Sequence, residues 1–337
     1  MPKISHHNQE LRCPLCHENN YENVFSCRDA DRISKMVFEL VRCKACKLVS
    51  TRPFLNEEAL NPWYRPRYHG WWQDKKGHLF SILSRLFQLN RSKWIIKYVP
   101  KGTLLDIGCG DGTFLTFMLE RGWDVFGIEN LYKYTQVTPT GAIETKIVPH
   151  DIEKWNQSFA PLDVITLWHV LEHVEDPVKT LHQAYNALKP SGLLVLSVPN
   201  FKSLQASLCQ DCWFHLDVPR HRWHFTPETI TRILHRSGFF QIHLSHFSLE
   251  YNPFGWWQSL LNLSRCTHNF AYNLLKRGEM PAYKNMFQGA YDIICSTVLG
   301  ISLVPIALTL AIVEALIRHG GTITVVARKN RGMYIHE

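Results

Sequence analysis

Residues 104–115 read LLDIGCGDGTFL, an apolar run that ends on an acid and turns through three glycines. Gly108, Gly110 and Gly112 let the backbone pass close to a ligand. A phosphate-gripping loop would end in Gly-Lys-Ser/Thr, which is absent, and a dinucleotide fingerprint would space its glycines GxGxxG, where this chain has Thr113. Asp106, ahead of the first glycine, also suits a diphosphate poorly. A carboxylate at that place belongs near a cation. Two further acids, Glu129 and Asp151, follow later strand-like runs. Two histidine clusters lie beyond them, WHVLEHV with His169 and His173, and CWFHLDVPRHRWHFTP with His215, His221 and His224.

A second chemistry sits near the start. Cys13 and Cys16 form one CxxC pair, and Cys43 and Cys46 form another. Two such knuckles complete a tetrahedral thiolate shell that suits zinc. Val37 to Val41 is strand-like and supplies the hairpin of a ribbon. A segment this short buries little core, so the ion would be structural and supply folding energy. A role in gripping nucleic acid or a partner is the other reading. Cys27 reads as a buried small residue, and the lone pair Cys209/Cys212 as ordinary cysteines. The aromatic stretch NPWYRPRYHGWW reads as a connector that packs on a neighbour, with Tyr64 and Tyr68 able to cover a ligand.

From Thr103 onward, strand-like and helix-like pieces alternate. Strands are expected at 103–107, 123–129, 143–148, 163–168, 193–198 and 239–247, with a seventh in GTITVVARK. Helices are expected at 113–120, after Asp176-Pro177, and after Thr226-Pro227 up to Gly238. Alternation of this kind predicts a parallel sheet with helices on both faces. Ligands in such sheets sit at the carboxyl ends of strands.

S-adenosylmethionine carries a sulfonium and an ammonium and has no phosphate, which fits the acid beside the glycine turn. Residues 103–250 resemble the Rossmann-like (class I) S-adenosylmethionine-dependent methyltransferases. The resemblance rests on LLDIGCGDGTFL, VFGIE, VPHDI, DVITLWHVLEHVEDP, FTPETITRILHRSGF and GTITVVARK. The zinc ribbon ahead of that domain resembles a bacterial subgroup of the same layout. The resemblance implies a seven-stranded α/β methyltransferase sheet. It implies that Asp106, Gly108 and Gly110, in the turn that Gly112 completes, hold the methionine end of the cofactor. Glu129 would bind both ribose hydroxyls, Asp151 the adenine amino group, and Trp168 or His169 would line the cofactor. NLYKYTQVTPTG, where the family has a full helix, contains Pro139 and Gly141, so a short or broken helix is expected there.

The methyl acceptor must lie in line with the S–CH₃ bond, and a base helps when the acceptor is a hydroxyl. The cluster after the fifth strand is the expected acceptor site, with His221 or His224 as base and His215 nearby. His169 and His173, four apart, would share one face of a helix at the rim.

Residues 293–317 are apolar apart from Glu314. As one helix they would reach about 37 Å, enough for a bilayer. A single crossing would strand the seventh strand on the far side, and cations flank both ends. Pro305 offers a turn, so a shallow hairpin dipped into the cytoplasmic leaflet is expected. Burial in a core or dimer interface, or a spanning hairpin, are the alternatives. The paired tryptophans of YNPFGWWQSLLNL suit a bilayer interface.

The whole chain has 337 residues, a net charge of +8 and 20% charged residues, short of the dense basic signature of a dedicated nucleic-acid binder. Its start lacks an apolar core of signal-peptide length, so a cytoplasmic chain with reduced cysteines is expected. The division expected is a zinc ribbon at 1–52, a connector and lead-in helix at 53–100 and the cofactor-binding core at 101–250. A membrane-facing insertion at 251–319 and a last strand and tail at 320–337 follow. The activity expected is methyl transfer, mainly to oxygen, on a small or lipid-linked acceptor such as a surface glycan or isoprenoid. RNA methylation through the ribbon and a silent membrane-bound scaffold are the rivals. Homo-oligomerisation stays open.

Overall fold

The computed structural model describes residues 12–64, 78–129, 147–148, 152, 161–264, 266–277 and 286–330. Asp151, Tyr68 and the segment of the expected broken helix lie outside them. Seven strands form the main sheet: β4 (Thr103–Ile107), β5 (Asp124–Ile128), β6 (Ile147–Val148), β7 (Leu162–Trp168), β8 (Leu188–Pro199), β10 (Phe239–Ser245) and β11 (Thr322–Lys329). Their order is β10-β11-β8-β7-β4-β5-β6. The run from β8 to β6 is parallel, and β11 enters antiparallel between β8 and β10. The order reverses at β4, between β5 and β7, and the glycine turn leaves the carboxyl end of that strand.

The strands alternate their apolar side chains between two cores. Leu105, Ile165 and Leu194 pack with Leu181 of α3 (Pro177–Ala187) and Ile230 of α5 (Pro227–Arg236). Leu104, Val164 and Leu193 pack with Ile95 of α1 (His78–Ile96) and Phe114 of α2 (Thr113–Leu119). Helices therefore cover both faces, which is how a parallel sheet buries strands apolar on both sides.

Local signals set the helix starts. Asp176 Oδ1 accepts from the Val178 and Lys179 amides at 2.9 and 3.0 Å, with Pro177 next in the chain. Asp176→Ala is expected to cost about 1 kcal/mol of stability, read as a lower urea midpoint at unchanged slope. Thr226 and Thr229 cap α5 reciprocally.

A second sheet has the order β1-β2-β3-β9. Strands β1 (Tyr21–Arg28), β2 (Val37–Cys43) and β3 (Val49–Arg52) belong to the cysteine-rich segment, whereas β9 (Trp223–His224) comes from the insertion after β8. Ser50 pairs with Trp223 and Val49 with His224. Arg232 and Arg236 of α5 donate to the carbonyls of Cys46 and Leu15 in the two knuckles. The ribbon is thus sewn to the segment that walls the site.

Two expectations are corrected. The apolar segment is no hairpin: α7 (Met286–Leu316) is one helix with Pro305 inside it. Leu303-Val304-Pro305-Ile306 contains no glycine, asparagine or aspartate to reverse the chain, and proline alone bends a helix rather than folding it back. A strip of small or polar residues, Gly289, Asp292, Cys295, Gly300, Ala307, Ala311 and Glu314, is buried. Trp257 of α6 (Asn252–Leu263) donates to the Gly300 carbonyl at 2.8 Å. The remaining faces are apolar and exposed, with Ile294 at 63%, Ile301 at 72% and Leu316 at 78%. Second, WHVLEHV forms turns rather than a helix, so His169 and His173 do not share a helical face. Asp176-Pro177, just downstream, starts the helix later.

Candidate functional site

The glycine turn runs from the end of β4 into α2. Gly108 has φ +71°, and a Cβ there would meet Val170 Cγ2 at 2.4 Å. This contact presses the turn against the segment that follows β7. Gly110 has φ +57°, and no described residue beyond its chain neighbours lies within 4 Å of where a Cβ would be. The backbone there is open to a ligand. Glu129, one residue past β5, accepts from the Gly110 amide through Oε2 at 2.7 Å. Sequence reasoning placed these residues at one site, and the structure brings them together.

Asp106 is 2% exposed and accepts from Thr166 Oγ1 at 2.6 Å. Burial pushes its carboxyl up to about 7, against the Thr166 hydrogen bond and the nearby Arg91. Arg91, on α1, pairs with Glu250 at 2.8 Å and donates to Tyr251 Oη at 3.0 Å. Its guanidinium lies 5.4 Å from the centre of the Trp168 ring. Trp168 is buried edge-on to Phe114. Arg91, Glu250 and Tyr251 carried no pattern in the sequence that marked them.

His169 follows β7 with φ +56°, a left-handed conformation that a non-glycine residue rarely adopts. Its amide donates to the Ser197 carbonyl, and its Nδ1 lies 3.2 Å from Glu172 Oε1. Its Nε2 is buried with no hydrogen-bond partner among the described residues. The Tyr251 ring lies 3.9 Å away, centre to centre, and the His215 ring 6.2 Å. Arg91, Trp168, His169, Glu172, His215 and Tyr251 therefore form a buried polar and aromatic cluster on the Asp106 side of the turn.

The expected histidine bases stand differently. His224 Nε2 lies 2.9 Å from Thr51 Oγ1, facing the ribbon sheet, and burial pushes its pKa down to about 3. His221 Nδ1 lies 2.9 Å from the His215 carbonyl, and burial drives its pKa well below the usual imidazole value. His215 Nε2 lies 3.2 Å from the Tyr251 carbonyl, and burial takes its pKa down to about 3. Each ring is held to the protein through one nitrogen, which fixes its orientation. Behind them, buried Arg220 pairs with Asp31 of the ribbon at 2.5 Å and with Asp217.

Among the described residues, two groups of side chains can hold a metal ion. Cys13, Cys16, Cys43 and Cys46 bring their sulfurs within 4.8 Å of one another, with Cys13–Cys46 at 3.3 Å and Cys16–Cys43 at 3.4 Å. An edge of about 3.8 Å follows from Zn–S bonds in a tetrahedron, so the four thiols fit that ion. Glu172, His173 and His221 likewise converge within 4.8 Å, a carboxylate and two imidazoles that suit a divalent cation. Sequence spacing gave no sign of that trio. Cys209 and Cys212 join no such group among the described residues.

A parallel sheet with one reversed strand, a glycine turn at its switch point and an acid after the next strand define a Rossmann-like methyltransferase fold. The chain belongs to the methyltransferase-domain family, whose model matches residues 71–244. A ubiquinone biosynthesis O-methyltransferase of Hydrogenovibrio crunogenus is 30% identical over 137 residues, which cover 39% of this chain and 56% of that protein. That of Erwinia tasmaniensis is 32% identical over 141 residues, 40% of this chain and 57% of the relative. The chain thus spans just over half the length of these curated relatives. Among solved structures, a SAM-dependent methyltransferase from Archaeoglobus fulgidus aligns with 75% of this chain and 100% of its own, at 18% identity and a TM-score of 0.42.

Proposed function

We propose that this chain transfers the methyl group of S-adenosylmethionine to an oxygen of a small or lipid-linked apolar acceptor, at the cytoplasmic face of a membrane. The observation that carries the reading is the pairing of Glu129 with the Gly110 amide across the open turn. A carboxylate there offers two acceptors to two ribose hydroxyls. Asp106, Gly108 and Gly112 shape the methionine end, and Trp168 lines it. Asp151 is proposed for the adenine. When bound, the cofactor supplies a methyl on a cationic sulfur. The chain's own work is to orient the acceptor, keep water out and take a proton. Zinc at the four cysteines holds the ribbon.

The relatives' names support oxygen as the target and an isoprenoid-type acceptor. The exposed faces of α7 support membrane contact. This helix is buried along one strip only and leads within a few residues to β11 in the sheet, so it would lie on the bilayer surface rather than cross it. The test is incubation with methyl-labelled S-adenosylmethionine and the lipid, aqueous and RNA fractions of the host. Label in the lipid fraction is expected. Label in RNA alone, or in none of them, would overturn the reading.

The membrane contact has its own test. Burying several exposed aliphatic side chains gives about 1.5–3 kcal/mol each. A Val298→Asp/Ile301→Asp variant is therefore expected to lose at least tenfold in flotation with vesicles of anionic phospholipid. Equal flotation of both proteins, or a dimer in solution that the variant dissociates, would replace the membrane by another occupant of this face.

A further inference from the structure

Resting on the membrane contact proposed above, we infer that the cleft at the end of α7 binds the phosphate of an anionic lipid headgroup, held between Arg318 and Lys202. The cleft has a volume of about 240 Å³. Its walls come from four segments: Lys202 after β8, Glu228 in the first turn of α5, His246 after β10, and Ile317, Arg318 and His319 between α7 and β11. Ile317 is itself half-exposed and continues the apolar face of α7 past Leu316. A bilayer that takes up this face brings its headgroup layer to the mouth of the cleft.

The residue type at position 318 is the first sign. Helix α7 ends with the His319 amide donating to the Glu314 carbonyl at 2.7 Å and the Arg318 amide donating to the Ala315 carbonyl at 3.1 Å. Position 318 is therefore the left-handed residue that closes the helix, and its φ is +59°. Glycine is the usual occupant of such a position, because a Cβ strains that backbone. Gly320 and Gly321 follow almost at once, yet the position that calls for glycine holds arginine. A strained residue kept at such a place points to a use for its side chain. Arg318 is exposed, and its guanidinium has no hydrogen-bond or ion-pair partner among the described residues.

The charges around the cleft are the second sign. Lys202 Nζ lies 2.5 Å from Glu228 Oε1, with both side chains more than half exposed. An ion pair so open to water contributes little, and the ammonium is free to turn to a phosphate. His319 Nδ1 lies 3.1 Å from the Lys202 carbonyl, and Asn200 Nδ2 donates to the Gly320 carbonyl at 2.9 Å. These contacts hold the loop that carries Arg318 against the loop that carries Lys202. Burial, His319 and Arg318 lower the His246 pKa against the opposite pull of Glu228, so positive charge prevails at that wall. A guanidinium supplies paired N–H donors to a phosphate, and an ammonium supplies a point charge.

The test is flotation of the full chain with phosphatidylcholine vesicles that carry either phosphatidic acid or phosphatidylserine, matched in electrophoretic mobility. Phosphatidic acid presents an uncovered phosphate, whereas serine covers that of phosphatidylserine. Wild-type protein is expected to bind the phosphatidic acid vesicles about fivefold more tightly, the effect of one well-placed cation at a membrane surface. Arg318→Gly and Lys202→Gln each remove that preference, with S-adenosylhomocysteine affinity as in the wild type. Because glycine relieves the left-handed turn, Arg318→Gly is also expected to melt no lower than the wild type. Lys101→Asn, ahead of β4 at the opposite end of the sheet, keeps the preference. Equal binding to both vesicles, or a preference that survives Arg318→Gly, overturns the headgroup site and leaves the membrane contact standing. Inorganic phosphate bound in calorimetry by the wild type and not by Arg318→Gly, without any preference between vesicles, overturns it in favour of a soluble phosphate. Wild-type protein that floats with neither vesicle overturns the membrane contact as well.

Discussion

Glu129→Ala is expected to weaken S-adenosylhomocysteine binding by at least about 100-fold while leaving the thermal midpoint nearly unchanged. Hydrogen bonds to a charged group contribute about 1.5–3 kcal/mol each. Two ribose hydroxyls on one carboxylate therefore amount to about 3–6 kcal/mol, and each 1.4 kcal/mol is a factor of ten in Kd. The side chain also holds the Gly110 amide, so its loss lets the turn relax and adds to the effect. Glu129 lies half-buried beyond the end of β5 and takes no part in the sheet's pairing, which is why stability should barely move. Glu129→Gln keeps one carbonyl acceptor and brings an amide donor against a second hydroxyl, so it should fall between. Calorimetry on wild type and both variants decides it. Wild-type affinity in Glu129→Ala would mean that the ribose is held elsewhere and that the turn serves another ligand.

The sheet was readable in the sequence because its central strands β4, β7 and β8 are apolar on both faces and the helices after Asp176 and Thr226 carry their own punctuation. Strands β4 and β7 fall within a residue of the expected bounds, and Asp176 caps the helix it was expected to cap. The cofactor turn was readable because positive φ at three alternating positions demands glycine. The polar cluster beside the turn was not. Arg91, Glu172 and Tyr251 come from three unconnected segments, and no spacing relates a helix on one face of a sheet to a turn after its sixth strand. The partners of the insertion's histidines were equally hidden, because Thr51, the His215 carbonyl and the Tyr251 carbonyl tie three separate segments together. Pro305 misled: a single proline signals a break only when turn-forming neighbours let the chain reverse.

That tying links the cysteine-rich segment to the insertion after β8, and removing the zinc proposed for its four cysteines should expose the link. Cys46→Ser, or a strong chelator, is expected to release one zinc per chain, lower the thermal midpoint and reduce kcat, with S-adenosylhomocysteine affinity changed by less than about threefold. Structural zinc contributes about 10–16 kcal/mol in small metal-bound folds, as much as the whole stability of a typical domain at about 5–15 kcal/mol. Without it, the two knuckles keep only their packing and the hydrogen bonds from Arg232 and Arg236, and β1–β3 lose their strongest anchor. β9 then loses its partner strand, Thr51 releases His224, and buried Arg220 loses Asp31. All three losses fall on residues 213–224, the wall behind His215 and His221. None touches the Gly110–Glu129 or the Thr166–Asp106 hydrogen bond, which lie within the main sheet and its turn. Metal analysis, calorimetry and turnover on one preparation separate the two effects. Loss of cofactor affinity in step with zinc would show that the ribbon supports the whole fold. Unchanged turnover in the zinc-free protein would show instead that the insertion keeps its shape without the strand it shares.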